Sequence, residues 1–200
     1  MADAILDRFP LGVLGHYRLT HMINLVALQA AGSRLFSFRN AGANLLVPTR
    51  CAVKWIQTAA HTAQILDRLD FFKVTAFSVS DTVSTVTPVA SQRRASMVAP
   101  PGGAEIRGCT IAGAAAGITG GTLTKDGGTF AQIVQELQAA VPTTPTIAEP
   151  RLDPFDEGVA TYPFAFANNE GFEIENAILL GAAAGSLVLI DLSWAEVKAS

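Results

Sequence analysis

The chain has 200 residues, half of them apolar and 16 % charged, with two cysteines and a formal net charge of -3. This length and apolar share are enough for one domain with a sizeable core, while the weak negative charge excludes the basic footprint of a general nucleic-acid binder. Sparse charge and a positive mean hydropathy imply that neighbouring subunits cover part of the surface.

The first fifteen residues, Met1–Gly15, read as an extended arm, because Phe9, Pro10, Leu11 and Gly12 interrupt any period; such arms lie on a neighbour. They lack the basic start and long apolar stretch of a secretory signal, so synthesis in a reducing cytoplasm is expected. Cys51 and Cys109 sit in apolar settings and read as buried thiols.

Residues 16–200 read as a single β-rich domain. Arg18–Met22 is strand-like, and in Arg34–Arg39 Phe36 and Phe38 share one face while Ser37 and Arg39 share the other. Asn40–Asn44 supplies a turn. Leu45–Gln57 gives further strand signal, with Trp55 as a core anchor and Pro48 marking an edge or a strand boundary. Residues 58–70 are compatible with a short helix by propensity and with strand by their flanks. Phe71–Val79 is again β-branched and aromatic, and Ser80–Pro88 reads as a polar loop.

Pro100–Gly103 makes the clearest break, and Cys109–Lys125 is a glycine-, alanine- and threonine-rich connection. Thr129 then opens a predicted helix. Thr129 and Gln132 have capping-box spacing, and Phe130, Ile133, Val134 and Leu137 fall at i, i+3, i+4 and i+7. Connection and helix together occupy about 100–141. Pro142, Pro145 and Pro150 force an extended passage. After a turn at Asn168–Gly171, the segments Phe172–Leu180 and Leu187–Trp194 read as two strands closing one sheet, joined by Gly181–Gly185. The longest apolar run, Ala177–Ile190, falls short of the roughly 20 residues of a membrane span.

Reactive chemistry is hard to find. Gly117–Lys125 has the ingredients of a phosphate loop in the wrong order, and no dinucleotide fingerprint or serine elbow occurs. His16 and His21 fall on opposite faces of an extended segment and His61 is remote, which argues against a histidine metal site. Asp67 and Asp70 would share a face in a helix, and Glu173 and Glu175 share one in a strand; solvated faces account for both pairs. Asp153, Asp156 and Glu157 cluster in a proline-bounded loop without the oxygen spacing of a calcium hand. Arg93 and Arg94, the only adjacent basic pair, suit a protein interface through carboxylate pairing and aromatic stacking. No catalytic, cofactor-binding or metal-ligating residue can be named, and the chain reads as a non-enzyme.

Several phrases resemble a family of tailed-bacteriophage virion structural proteins. They are Leu35-Phe-Ser-Phe-Arg39, Phe77–Thr82 leading to Gln92–Met97, Ala167-Asn-Asn-Glu-Gly-Phe172, and the terminal Trp194-Ala-Glu-Val197. The resemblance spans most of the chain in order, although Gly108–Gly121 has no counterpart in it. It implies an antiparallel β-sandwich of jelly-roll type, carrying one short helix and the extended arm. It further implies a head-decoration (cement) protein on the capsid exterior, bound to the major capsid protein and assembled as a homo-oligomer such as a trimer. Phe9, Pro10, Leu11, Arg93 and Arg94 are the expected partner contacts. The alternative is a receptor- or carbohydrate-binding head of a phage spike or tail fibre, suggested by the aromatic and acidic loops Asp153–Asp156 and Tyr162–Phe164. Neither reading calls for a cofactor, a membrane or a nucleic acid.

Overall fold

The computed structural model describes residues 13–78, 103–109, 111–112, 118, 121–140, 147–148, 164–182 and 185–199. Over these residues the chain is mainly β. The strands are β1 (Val13–Val26), β2 (Ser33–Asn40), β3 (Leu45–Ala59), β4 (Ile65–Phe77), β5 (Ala104–Gly108), β6 (Ile111–Ala112), β7 (Leu123–Leu137), β8 (Ile147–Ala148), β9 (Gly171–Asn176) and β10 (Gly185–Val197). Among the described residues no helix is long and apolar enough to cross a membrane.

Two sheets form, ordered β6-β1-β10-β3-β8 and β5-β2-β9-β4-β7. The first has three long strands, with the two-residue β6 and β8 at its margins; β6 runs parallel to β1, and every other pairing is antiparallel. β1 pairs with β10, β2 with β9, β3 with β8 and β4 with β7. Early strands therefore pair antiparallel with late ones, and these pairs fall in alternate sheets.

Alternation of side chains creates the core. In β1, Tyr17, Leu19, Ile23 and Leu25 are buried while Arg18, Thr20 and Met22 are exposed. The inner faces of both sheets contribute to one apolar cluster. Phe38 of β2 meets Trp194 of β10 edge-on at 5.5 Å and Phe172 of β9 at 5.5 Å, and Tyr17 stacks on Trp194 at 5.5 Å. Trp55 is fully buried, as expected of a core anchor.

Turns are fixed by particular residues. The buried Asn40 amide donates to the carbonyls of Asn44 at 2.6 Å and Phe166 at 2.8 Å, and its oxygen accepts from the Gly42 N–H at 2.9 Å. Asn169 takes a left-handed φ of 69° in the turn before β9. Gly171 begins β9 so close to β2 that a β-carbon there would collide with the Phe38 carbonyl oxygen. Pro48 lies inside β3, opposite Trp194, where the ladder shifts between Ser193 and Trp194; a bulge tolerates the missing N–H.

Three expectations change, and the open reading of residues 58–70 resolves to strand. The predicted helix from Thr129 is instead the second half of β7, paired with β4. Ile133 and Leu137 are four apart, a spacing that suits both periods, but Val134, which a helical face would bury, is 52 % exposed. Phe130 still reaches the core because Phe71 pairs with Ala131 while Phe72 pairs with Thr129, which leaves Phe130 as the extra residue of a bulge. The edge of β4 decides this segment, since pairing with it outweighs a weak local preference. Next, β9 and β10 do not close one sheet: each belongs to a different sheet, so the connection between them crosses the sandwich. Residues 58–70 are the end of β3, a short link and the start of β4. Finally, β1 begins at Val13, so the last three residues read as arm are strand, and 1–12 lie outside the described residues.

Candidate functional site: a charged belt on the outer face of one sheet

In β9 every side chain is buried, although alternate residues point away from the core. Phe172 and Ile174 face inward; Glu173 and Glu175 face outward. Their neighbours in register are Ser37 and Arg34 on β2, and Phe72 and Asp70 on β4. Glu173 is fully buried and Glu175 is 7 % exposed, which corrects the expectation of a solvated acidic face.

Burying carboxylates requires partners. Arg34 Nε donates to Glu173 Oε2 at 2.7 Å. Lys125 enters from β7, passes over the Phe72 ring at 4.5 Å and so spans β4, then donates to Glu175 Oε1 at 2.6 Å. Its Nζ also lies 3.2 Å from Glu173 Oε1, an ion pair without hydrogen-bond alignment. Arg68 pairs with Asp70 along β4 at 2.8 Å. Three acids and three cations thus share the belt, with Asp70 beside Glu175 in register. Further along the same face, Arg39 Nη2 donates to Asn169 Oδ1 at 2.7 Å, and Arg39 and Arg107 flank Glu105 at 3.6 and 3.7 Å.

The electrostatics follow from burial. Desolvation and the adjacent Glu173 push the Glu175 carboxyl up to about 7, against the opposing pull of Lys125. Burial works against the Lys125 charge, yet the hydrogen bond to Glu175 and the charges of both glutamates outweigh it and raise its pKa. Because Glu173 has no solvent-exposed surface, the pair has no face to offer a sugar ring, as glycoside chemistry would need.

Other singled-out residues are spread through the fold. Asp67 and Asp70 fall on opposite faces of β4, because the segment is strand. Asp67 points into the core, where burial drives its carboxyl up to about 7 despite the Arg68 N–H it accepts at 2.8 Å. His16 and His21 do lie on opposite faces of β1. His21 contacts the Cys109 carbonyl at 2.9 Å through Nε2, and burial lowers its pKa. His61, also lowered by burial, meets the Ser186 hydroxyl at 3.3 Å. Cys51 and Cys109 are both buried and unbridged. Among the described residues no cluster of three or more metal-ligating side chains occurs. Phe9, Pro10, Leu11, Arg93, Arg94, Asp153, Asp156, Glu157 and Tyr162 lie outside the described residues.

Sequence reasoning found the shared face of Glu173 and Glu175 but missed their partners. Arg34 opened a strand read only for its aromatic face, and Lys125 closed what read as a connection. Their only local signal was opposite charge, which carries no information about which strands become neighbours.

Neither a protein-family model nor a curated protein sequence matches this chain.

Proposed function

We propose that this strand order is a jelly roll, and that the chain is a virion structural protein of a tailed bacteriophage that decorates the outer capsid surface and ties major capsid subunits together. The observation that carries this reading is the arrangement itself. Strand pairs β1–β10, β2–β9, β3–β8 and β4–β7 alternate between two sheets, as in the double-sheet folds from which capsid shells and lectins are built. The interior is occupied by packed rings, with Trp55, Trp194, Phe36, Phe38 and Phe172 fully buried, so the free energy of the fold goes into stiffness. Such a scaffold resists deformation by packaged DNA.

Three of the phrases that resemble the virion family, Leu35–Arg39, Ala167–Phe172 and Trp194–Val197, lie among the described residues and converge. Phe38 touches both Phe172 and Trp194, and Arg39 holds Asn169, so residues far apart in sequence build one corner of the molecule. This corner sets β2, β9 and β10 against one another, and it supports reading those phrases as a structural signature.

The test is to purify particles and count this chain by quantitative mass spectrometry while locating it by imaging. Hundreds of copies over the head are expected; a few copies at the tail would refute decoration and favour the receptor-binding alternative. Because β1 begins at Val13, deletion of residues 2–12 should leave the domain folded while weakening attachment to particles. Equal attachment would reject a role for the arm.

A further inference from the structure

β7 is built in two halves. The second, Thr129–Leu137, pairs with Ile65–Phe72 of β4 and anchors Ile133 and Leu137 in the core. The first, Leu123–Gly128, buries no residue. Between them the ladder breaks: Phe72 faces Thr129 and Val74 faces Lys125, so Asp126, Gly127 and Gly128 stand against Lys73 alone. All three are exposed, and a β-carbon on either glycine would meet nothing within 4 Å. Two adjacent glycines in open space make this the softest point of the strand.

Beyond the break, little backbone holds the start of β7. Leu123, Thr124 and Lys125 pair with Phe77, Ala76 and Val74, with a further shift at Thr75, and β7 lies at the margin of its sheet. The Thr75 hydroxyl donates to the Thr124 carbonyl at 3.3 Å, and the Ser78 N–H and hydroxyl donate to the Thr122 carbonyl at 2.7 and 3.1 Å. Exposed hydrogen bonds without a buried apolar side chain open at low free energy. The Lys125 ammonium is the strong tie. It reaches over Phe72 to Glu175 Oε1 at 2.6 Å and lies 3.2 Å from Glu173 Oε1, spanning the width of β4. Because Glu173 is fully buried and Glu175 nearly so, withdrawing the lysine leaves two desolvated carboxylates short of a cation.

We infer that Leu123–Lys125 is a flap that swings on Asp126–Gly128 and is latched shut by the Lys125 ammonium on Glu173 and Glu175. Opening unpairs the end of β4, since β9 pairs with it only as far as Val74, and uncovers two carboxylates that the closed fold hides. The latch stands on the strand geometry and does not depend on the virion reading.

Amide exchange of the full chain, followed by mass spectrometry, tests this, with residues 131–137 of the same strand as internal reference. Residues 75–78 and 121–128 should exchange together and faster than the reference. Lys125→Met keeps an unbranched stem over Phe72 without the charge; it should speed exchange in both segments by about tenfold and leave the reference unchanged. Raising sodium chloride from about 0.1 to about 1 M should speed both segments in the wild type, where the lysine side chain is 32 % exposed and open to screening, but not in Lys125→Met. Replacing Gly127 and Gly128 together by alanine, for which there is room, should slow them. Unchanged exchange in Lys125→Met, or a rise shared equally by 131–137, would overturn the latch. So would a wild type indifferent to salt, a measurement that needs no variant to fold. Alanines that leave the flap as fast as before would overturn the hinge.

Discussion

Asp67 provides a sharp test of the packing. Its carboxyl is fully buried in the core face of β4, Oδ1 accepts the Arg68 N–H, and Oδ2 has no hydrogen-bond partner. Burial raises its pKa from 3.8 to about 7, so the folded chain holds this proton more tightly than the unfolded one. Stability must then fall as pH rises: no penalty exists below the unfolded value, it grows between pH 4 and pH 7, and it is complete above pH 7. At about 1.4 kcal/mol per pKa unit the full penalty is about 4 kcal/mol. Asp67→Asn keeps the acceptor for Arg68 and removes the ionisation, leaving only a constant offset for its buried NH2 group. Urea unfolding at pH 5, 6, 7 and 8 should show the variant gaining on wild type by about 1 kcal/mol for each unit up to pH 7, then levelling off. A difference that stays flat across this range would refute the reasoning, because Asp67 would then be ionised without penalty and hence partnered or hydrated.

The other expectations follow from the same geometry. Glu175→Gln should remove a second, smaller part of the pH slope, since that carboxyl is raised in the same direction while Lys125 offsets some of the cost; titration of the variant's unfolding free energy checks this. Gly171→Ala should prevent correct folding, read as loss of soluble protein or of near-ultraviolet dichroism, because its β-carbon would meet the Phe38 carbonyl. Phe38→Ala should cost about 3–5 kcal/mol in urea unfolding by leaving a cavity between the sheets. Asp191→Asn should change stability by less than about 1 kcal/mol, because Arg18, which pairs with it at 2.5 Å, is largely exposed.

Local patterns were readable where each residue's role depends on near neighbours. The alternation through Phe36, Ser37, Phe38 and Arg39 marked β2 and its buried face correctly, and Asn40–Asn44 and Asn168–Gly171 announced turns because asparagine and glycine accept backbone shapes that other residues resist. Thr129–Leu137 misled because a spacing of four satisfies helix and strand alike. Only the open edge of β4 told them apart. Glu173 and Glu175 showed their common face but not their burial, which depends on a lysine about fifty residues earlier reaching across an intervening strand.

By itself, the order of residues determined that this chain is β-rich, which positions turn, and which side chains are apolar on each strand. These properties arise from backbone sterics and from period, both of which act over a few residues. Tertiary structure alone decided that β9 and β10 belong to different sheets, that Tyr17 stacks on Trp194, and that three acids and three cations share one belt. Each of these depends on which distant strands pair, and the free energy that selects partners is summed over the whole core rather than written in any one segment.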